Sequence, residues 1–331
     1  MDKATLYPLR FQPIYQYRLW GGRRLGVLFN ARLPGKDPIG EAWLLSDRDD
    51  HLSQVAAGPL QGWTITQLMK RFPEQMMGVL AQRFERFPLL LKFLDVRQML
   101  SVQVHPVDDS VGSLPNGDGG KTEAWVVLEA NPESRIYAGL KADIGASDLR
   151  ALSSETVDDC IASFTPKKGD GVFIAAGTVH ALGQGVVVFE VQQNSDVTFR
   201  LFDWNHIDPT TGHARALQLE QALACIDFEQ RPIVPVTPTV MVQVPVLREQ
   251  LFACRHFELW RIRGTSPFVV GIGGKPRIVV CIEGQGGVNH GTSNYGLRKG
   301  EITLLPADVG ACTVYPDGEI VVLEIGIPEL P

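Results

Sequence analysis

Glycine and proline recur along the whole chain, 33 and 22 times in 331 residues, so regular elements between them are short. Apolar runs occupy 89–94, 124–128, 171–175, 186–191, 278–282, 302–305 and 320–325. Runs of this length, rich in Val, Ile and Phe and bounded by turn residues, predict β-strands. Many such strands with Gly/Pro punctuation predict a mainly β chain, built as a sandwich or barrel. Helical spacing is local: 64–72, with Thr64 and Thr66 as caps, then 74–83, 217–226 and the short 147–152. These predict small helices packed on a β core.

Composition narrows the classes of function. A hydrophobic share of 44% with 21% charged residues describes a globular protein with a substantial core. The net charge of −6 and the lack of any Lys/Arg-rich run argue against a nucleic-acid partner, which needs a concentrated basic face. An anionic small molecule needs only a few local cations. Cys160, Cys225, Cys254, Cys281 and Cys312 are scattered and form no C-x-x-C pair, which predicts reduced thiols in a cytoplasmic protein. The opening M-D-K-A-T-L-Y-P lacks the apolar core of a secretory leader. No apolar stretch approaches the ~20 residues of a membrane helix; the nearest, 87–94, contains Pro88 and Lys92.

The segment 231–238, R-P-I-V-P-V-T-P, has three prolines in eight positions and suits neither a helix nor a central strand. It predicts a boundary between domains at 1–232 and 239–331. A weak internal repeat agrees. Lys168-Gly169-Asp170 precedes G-V-F-I-A-A-G-T-V-H, and Lys299-Gly300-Glu301 precedes I-T-L-L-P-A-D-V-G-A. Counted from Gly169 and Gly300, His180 falls opposite Ala311. Two copies of one β module are expected, of which the first keeps a ligand.

The candidate chemistry lies in Ser101-Val102-Gln103-Val104-His105-Pro106. Strict alternation puts Ser101, Gln103 and His105 on one strand face and the valines on the other. Lys121, Glu123 and Trp125 share a face in the same way, and His180 follows a turn at Gly177. Two imidazoles, a carboxylate and an amide oxygen form a donor set for a zinc-type divalent ion, with one anionic ligand and open positions for substrate oxygens. The spacing matches neither a zinc finger nor H-E-x-x-H, and on spacing alone the histidines are more often ordinary buried or surface residues. Gly119-Gly120-Lys121-Thr122 is not a phosphate-binding loop, because the required first glycine falls at Pro115. Ser195 beside Asp196 lacks the G-x-S-x-G context of a nucleophile elbow. Trp20, Trp43, Trp125, Trp204 and Trp260 are expected in the core.

Longer motifs carry a family resemblance. P-L-L-L-K-F-L-D (88–95), L-S-V-Q-V-H-P (100–106), G-K-T-E-A-W (120–125), G-T-V-H-A-L (177–182) and Q-N-S-D-V-T-F-R-L-F-D-W (193–204) resemble the class I mannose-6-phosphate isomerases in their short bacterial form. L-W-G-G-R-R-L (19–25) and I-G-E-A-W (39–43) fit as well. The resemblance runs in order over nearly the whole chain. It implies a bicupin, two jelly-roll-like β-barrels, with one Zn2+ or another divalent ion in the first. Gln103, His105, Glu123 and His180 match its metal ligands, and Arg200 matches the arginine taken as catalytic. Lys121 and Ser101 match pocket residues near the sugar phosphate, and Glu41 of I-G-E-A-W joins them in the expected substrate site. The implied reaction interconverts mannose 6-phosphate and fructose 6-phosphate through an enediol(ate). Arg200 is suited to an enediolate oxygen or a phosphate, and Lys121 to neutralising phosphate or relaying a proton. Glu41, Lys121 and Glu190 are candidates for the base.

The chain also departs from the family. Ala175-Ala176-Gly177 stands where P-A-G is usual, Asp203-Trp204-Asn205-His206 where D-W-x-R is usual, and Gly212-His213-Ala214-Arg215 where G-K-P-R is usual. The last two bear on the exact sugar. Two rival readings are a different metal-dependent cupin enzyme, such as a dioxygenase or an epimerase, and a non-catalytic sugar-binding cupin. Lys121 and Arg200 favour a phosphosugar over the first, and the retained ligand set argues against the second.

Overall fold

A computed structural model describes residues 6–108, 114 and 118–329. The first residues of the chain and Pro115 lie outside them. In chain order the first strands are β1 (Ile14–Gly22), β2 (Ile39–Leu45), the short β3 (Asp47–Arg48) and β4 (His51–Leu52), β5 (Leu89–Val96) and β6 (Val102–Val104). They are followed by β7 (Glu123–Ala130), β8 (Ile136–Leu140), β9 (Ile161–Phe164), β10 (Gly171–Ile174), β11 (His180–Leu182), β12 (Val186–Gln193) and β13 (Phe199–Phe202). The C-terminal part supplies β14 (Thr239–Val242), β15 (Leu247–Ala253), β16 (Glu258–Gly264), β17 (Phe268–Val270) and β18 (Arg277–Glu283). It ends with β19 (Gln285–His290), β20 (Ser293–Arg298), β21 (Ile302–Leu305), β22 (Cys312–Pro316) and β23 (Ile320–Gly326). Every apolar run read from the sequence falls on one of these strands, apart from Ala175, which lies just past the end of β10.

The helices are small: α1 (Arg24–Leu28), α2 (Ile65–Arg71), α3 (Pro73–Met77), α4 (Ala146–Arg150), α5 (Val157–Cys160) and α6 (Leu219–Cys225). Thr64 caps α2 as expected, accepting from Gln67 N while the Gln67 side chain accepts from Thr64 N. Thr66 instead donates to Asp47. The helix expected over 74–83 stops at Gly78. This residue has φ +57°, and a Cβ there would overlap the carbonyl of Gly274. No helix among the described residues is long and apolar enough to cross a membrane.

The chain forms two compact units. One takes its described residues from Tyr15–Trp43 and Leu90–Val236, the other from Met1–Ile14, Leu44–Leu89 and Thr237–Pro331. The division at 236/237 falls inside the proline-rich segment. The helical stretch that sequence order would attach to the first module groups instead with the C-terminal one. Backbone bonds from Ala307 N to Met76 O and from Leu9 N to Leu304 O hold it there.

The first unit is built on a six-stranded sheet, β1-β2-β5-β12-β7-β10, and a five-stranded sheet, β13-β6-β11-β8-β9. They pack through Leu94, Val127, Val188, Ile136, Ala138 and Leu182, all at most 3% exposed. The second unit has sheets β14-β15-β16-β23-β18-β21 and β17-β22-β19-β20. The repeat is visible in the strand order: β5-β12-β7-β10 in one unit and β16-β23-β18-β21 in the other. Lys168-Gly169-Asp170 leads into β10 and Lys299-Gly300-Glu301 into β21. V-V-V-F-E-V on β12 matches I-V-V-L-E-I on β23, which pairs Glu190 with Glu324.

Candidate active site

Three adjacent strands of the five-stranded sheet bring Arg200, Gln103 and His180 into one row, because Gln103 is opposite both of the others. Paired residues share a sheet face. Val102 and Val104 turn the other way into a fully buried cluster, as the alternation predicts. From the other sheet, Glu123 at the start of β7 reaches the same point. His180 Nε2 is 3.3 Å from Glu123 Oε1, and His105 Nε2 is 3.5 Å from Glu123 Oε2. The ligand atoms of His105, Glu123 and His180 lie within 4.8 Å of one another. Gln103 Nε2 is 3.1 Å from His180 Nε2.

The donor chemistry fits a divalent ion. Each histidine directs Nδ1 to a backbone carbonyl, His105 to Val197 O at 2.8 Å and His180 to Thr178 O at 2.9 Å. These bonds place the proton on Nδ1 and leave both Nε2 lone pairs facing the cluster. Burial pulls both imidazoles below their usual pKa, His105 to about 3, so they are neutral near pH 7. Burial pushes Glu123 the other way, but Lys121 and His105 overcome it and keep the carboxyl ionised. Glu123 Oε1 is buried with no hydrogen-bond partner. Meanwhile the Lys121 ammonium donates to His105 Nε2 at 2.9 Å and to Glu123 Oε2. A cation already finds these groups attractive, and one acceptor oxygen remains free.

Beside the cluster lies a cavity of about 370 Å³, lined by Ser101, Gln103, Glu41, Lys121, Glu123, Glu190 and Arg200 among others. The structure thus brings the residues named from the sequence close together around one cavity. Four further charged residues line the cavity and were not singled out in the sequence: Arg18, Lys92, Asp196 and Asp208. Lys92 is 3% exposed. Its ammonium stands 3.3 Å from Asp196, 3.6 Å from Glu190 and 3.9 Å from Glu41, and 4.8 Å from the Trp43 ring centroid. The available signal was a lysine inside an apolar strand, which must be paired when buried.

The carboxylate candidates for the base separate clearly. Burial raises Glu41, but Arg18, Lys92 and Trp43 reverse the shift and hold it at about 2. Arg18 binds both its oxygens at 3.0 Å, and the Trp43 indole donates at 2.6 Å. Glu190 is raised to about 7, by burial first and by the charge of Glu123 second. Its hydrogen-bond donor is the Trp125 indole, at 2.9 Å.

The departures from the family pattern fall mostly outside the cavity wall. Gly177 makes its turn at φ +84° and its N–H donates to His105 O at 2.8 Å, without the usual proline. His213 is exposed. Arg215 lines the cavity and pairs with Asp203 at 2.8 Å, while His206 Nδ1 lies 3.7 Å from the same carboxylate.

Comparison with known proteins agrees with this geometry. The family model described as phosphomannose isomerase type I, catalytic domain, matches residues 8–118. That for the mannose-6-phosphate isomerase cupin domain matches 252–325. Mannose-6-phosphate isomerase ManA of Bacillus subtilis is 32% identical over 311 residues, spanning 92% of this chain and 95% of the relative. A mannose-6-phosphate isomerase of Streptococcus mutans is 30% identical over 322 residues, spanning 95% and 97%. The crystal structure of mannose 6-phosphate isomerase from Bacillus subtilis superposes with a TM-score of 0.89 at 27% identity, covering 97% of this chain and all of that one.

Proposed function

The chain belongs to the type I phosphomannose isomerase family, and on that premise we propose how its own residues carry the reaction. The activity is aldose–ketose isomerisation between mannose 6-phosphate and fructose 6-phosphate. The observation that carries the assignment of roles is the convergence of two Nε2 lone pairs and a buried, unpartnered Glu123 oxygen beside a cation-lined cavity.

Gln103, His105, Glu123 and His180 would hold one divalent ion, which we take to be zinc. When bound, it supplies Lewis acidity that stabilises negative charge developing on the sugar oxygens. Glu190 moves the proton between C2 and C1, because its pKa near neutrality suits both taking and returning it. Glu41 is too weak a base for this step and serves instead to hold Arg18 and Lys92 in place. Arg200 receives an anionic oxygen of the substrate. Lys121 and Ser101 face the same cavity and complete the contacts to the sugar phosphate. In this reading the first β module is catalytic and the C-terminal one works without metal. Ala311 stands opposite His180 in the repeat, and Arg277, at the start of β18, takes the register position that Glu123 has on β7. We place the enzyme in the cytoplasm, which its five free thiols support.

The test is direct. Purified protein given mannose 6-phosphate should form fructose 6-phosphate, stop after chelation and recover with zinc. No product from zinc-restored protein would overturn the reading.

A further inference from the structure

The tripeptide E-A-W occurs twice, at 41–43 on β2 and at 123–125 on β7. In each copy the tryptophan lies two residues after the glutamate, on the same strand face. The two indoles act differently. Trp43 donates back to its own Glu41. Trp125 leaves Glu123 alone and donates across the sheet to Oε2 of Glu190, its direct partner in the β7–β12 register. Trp125 also meets His180 edge-on, with centroids 5.6 Å apart and planes at 66°. This ring is 1% exposed and contributes to the cavity wall. On the other side of the carboxylate, Oε1 faces Lys92 at 3.6 Å.

We infer that Trp125 is a positioning residue, whose indole N–H pins Oε2 of Glu190, fixes the rotation of the carboxylate and leaves Oε1 to exchange the proton. The inference rests on the proposed role of Glu190. A glutamate's last torsion is broad, so burial alone does not choose between its orientations. A hydrogen bond to one oxygen does. The bond also favours the charged form, so its loss makes Glu190 harder to ionise. Glu123, Lys121, Lys92 and Glu41, the charges that act on Glu190, stay in place when the N–H is removed.

Two zinc-loaded variants test this: W125F, and replacement of Trp125 by benzothienylalanine, which keeps the ring volume and removes only the N–H. Both should lose about tenfold in kcat with KM changed less than about twofold. The acid limb of kcat/KM should move to higher pH, and zinc content should match the parent. E190Q is measured alongside. If E190Q keeps full kcat, the base assignment falls and this inference with it. If E190Q is inactive while both Trp125 variants keep kcat and the acid limb, only this inference falls. Loss of zinc together with kcat also overturns it, because Trp125 would then be supporting His180.

Discussion

Arg200 stands apart from the other cavity cations. Arg18, Lys92, Lys121 and Arg215 each sit in an ion pair with a carboxylate. Arg200 Nε is instead buried with no hydrogen-bond partner among the described residues. Burial, and next the nearby Arg215, press against its charge, so an incoming anion would be strongly favoured there. Arg200→Lys keeps the charge and loses the planar fork, which should lower kcat/KM by the ~2–3 kcal/mol of a charge-assisted hydrogen bond, about 30- to 150-fold. Unchanged steady-state kinetics for that variant would remove Arg200 from the site. Residues such as Gln103 and His105 are legible in the sequence because alternation on one strand fixes their face. Arg18 and Lys92 are not, since their partners Glu41, Glu190 and Asp196 sit on other strands and loops. Trp43 and Trp125 are buried, as expected, and the sequence could not reveal which acceptors their N–H groups would find.

At the scale of elements, the site depends on how closely β1 and β2 approach. A Cβ on Gly40 would lie 2.6 Å from Arg18 Cβ and 2.8 Å from Trp20 Cζ3, and one on Gly21 would overlap the backbone of Gly40. This contact gives L-W-G-G and I-G-E-A-W a physical meaning: glycine lets Arg18 lie flat enough to clasp Glu41. Gly40→Ala should therefore cost about 1–3 kcal/mol of stability by overpacking and reduce activity by displacing the Arg18–Glu41 pair. Urea midpoints and turnover measured on the same sample check both; a variant as stable as the parent would refute the close-approach argument. Strand existence was readable because the apolar runs are short and sharply bounded. Strand order was not. The neighbours of β12 are β5 and β7, a pairing set by the closing of the whole module rather than by any local spacing. The early end of α3 was equally hidden, because the chain turns at Gly78 (φ +57°) so that Val79 N bonds to the carbonyl of Gly274, almost two hundred positions along the chain.

Over the whole molecule, the repeat sets one glutamate in two environments. Glu324 on β23 accepts the N–H of Gly271 at 2.7 Å and lies 3.1 Å from Arg248, a matched charge. Glu190 on β12 has Lys92 at 3.6 Å, but burial and the charge of Glu123 leave its pKa near 7 instead of 4.5. A carboxyl raised in the folded state favours folding fully below its unfolded pKa, and that advantage disappears as pH rises through the folded one. Ionised Glu190 is therefore a burden on the first β module at neutral and alkaline pH. A gap from 4.5 to about 7 corresponds to something on the order of 3 kcal/mol. Glu190→Gln cannot titrate and should escape this cost. Metal-free E190Q should match the parent in urea midpoint near pH 4, gain steadily between about pH 4.5 and 7, and hold a constant lead above that. Zinc-loaded E190Q should at the same time be nearly inactive. The buried histidines, which resist protonation in both proteins and weaken both below about pH 6.5, cancel in the difference. A lead independent of pH would mean that the amide merely packs better. Inactivity together with a lead that grows with pH would identify Glu190 as a group whose instability serves the proton transfer.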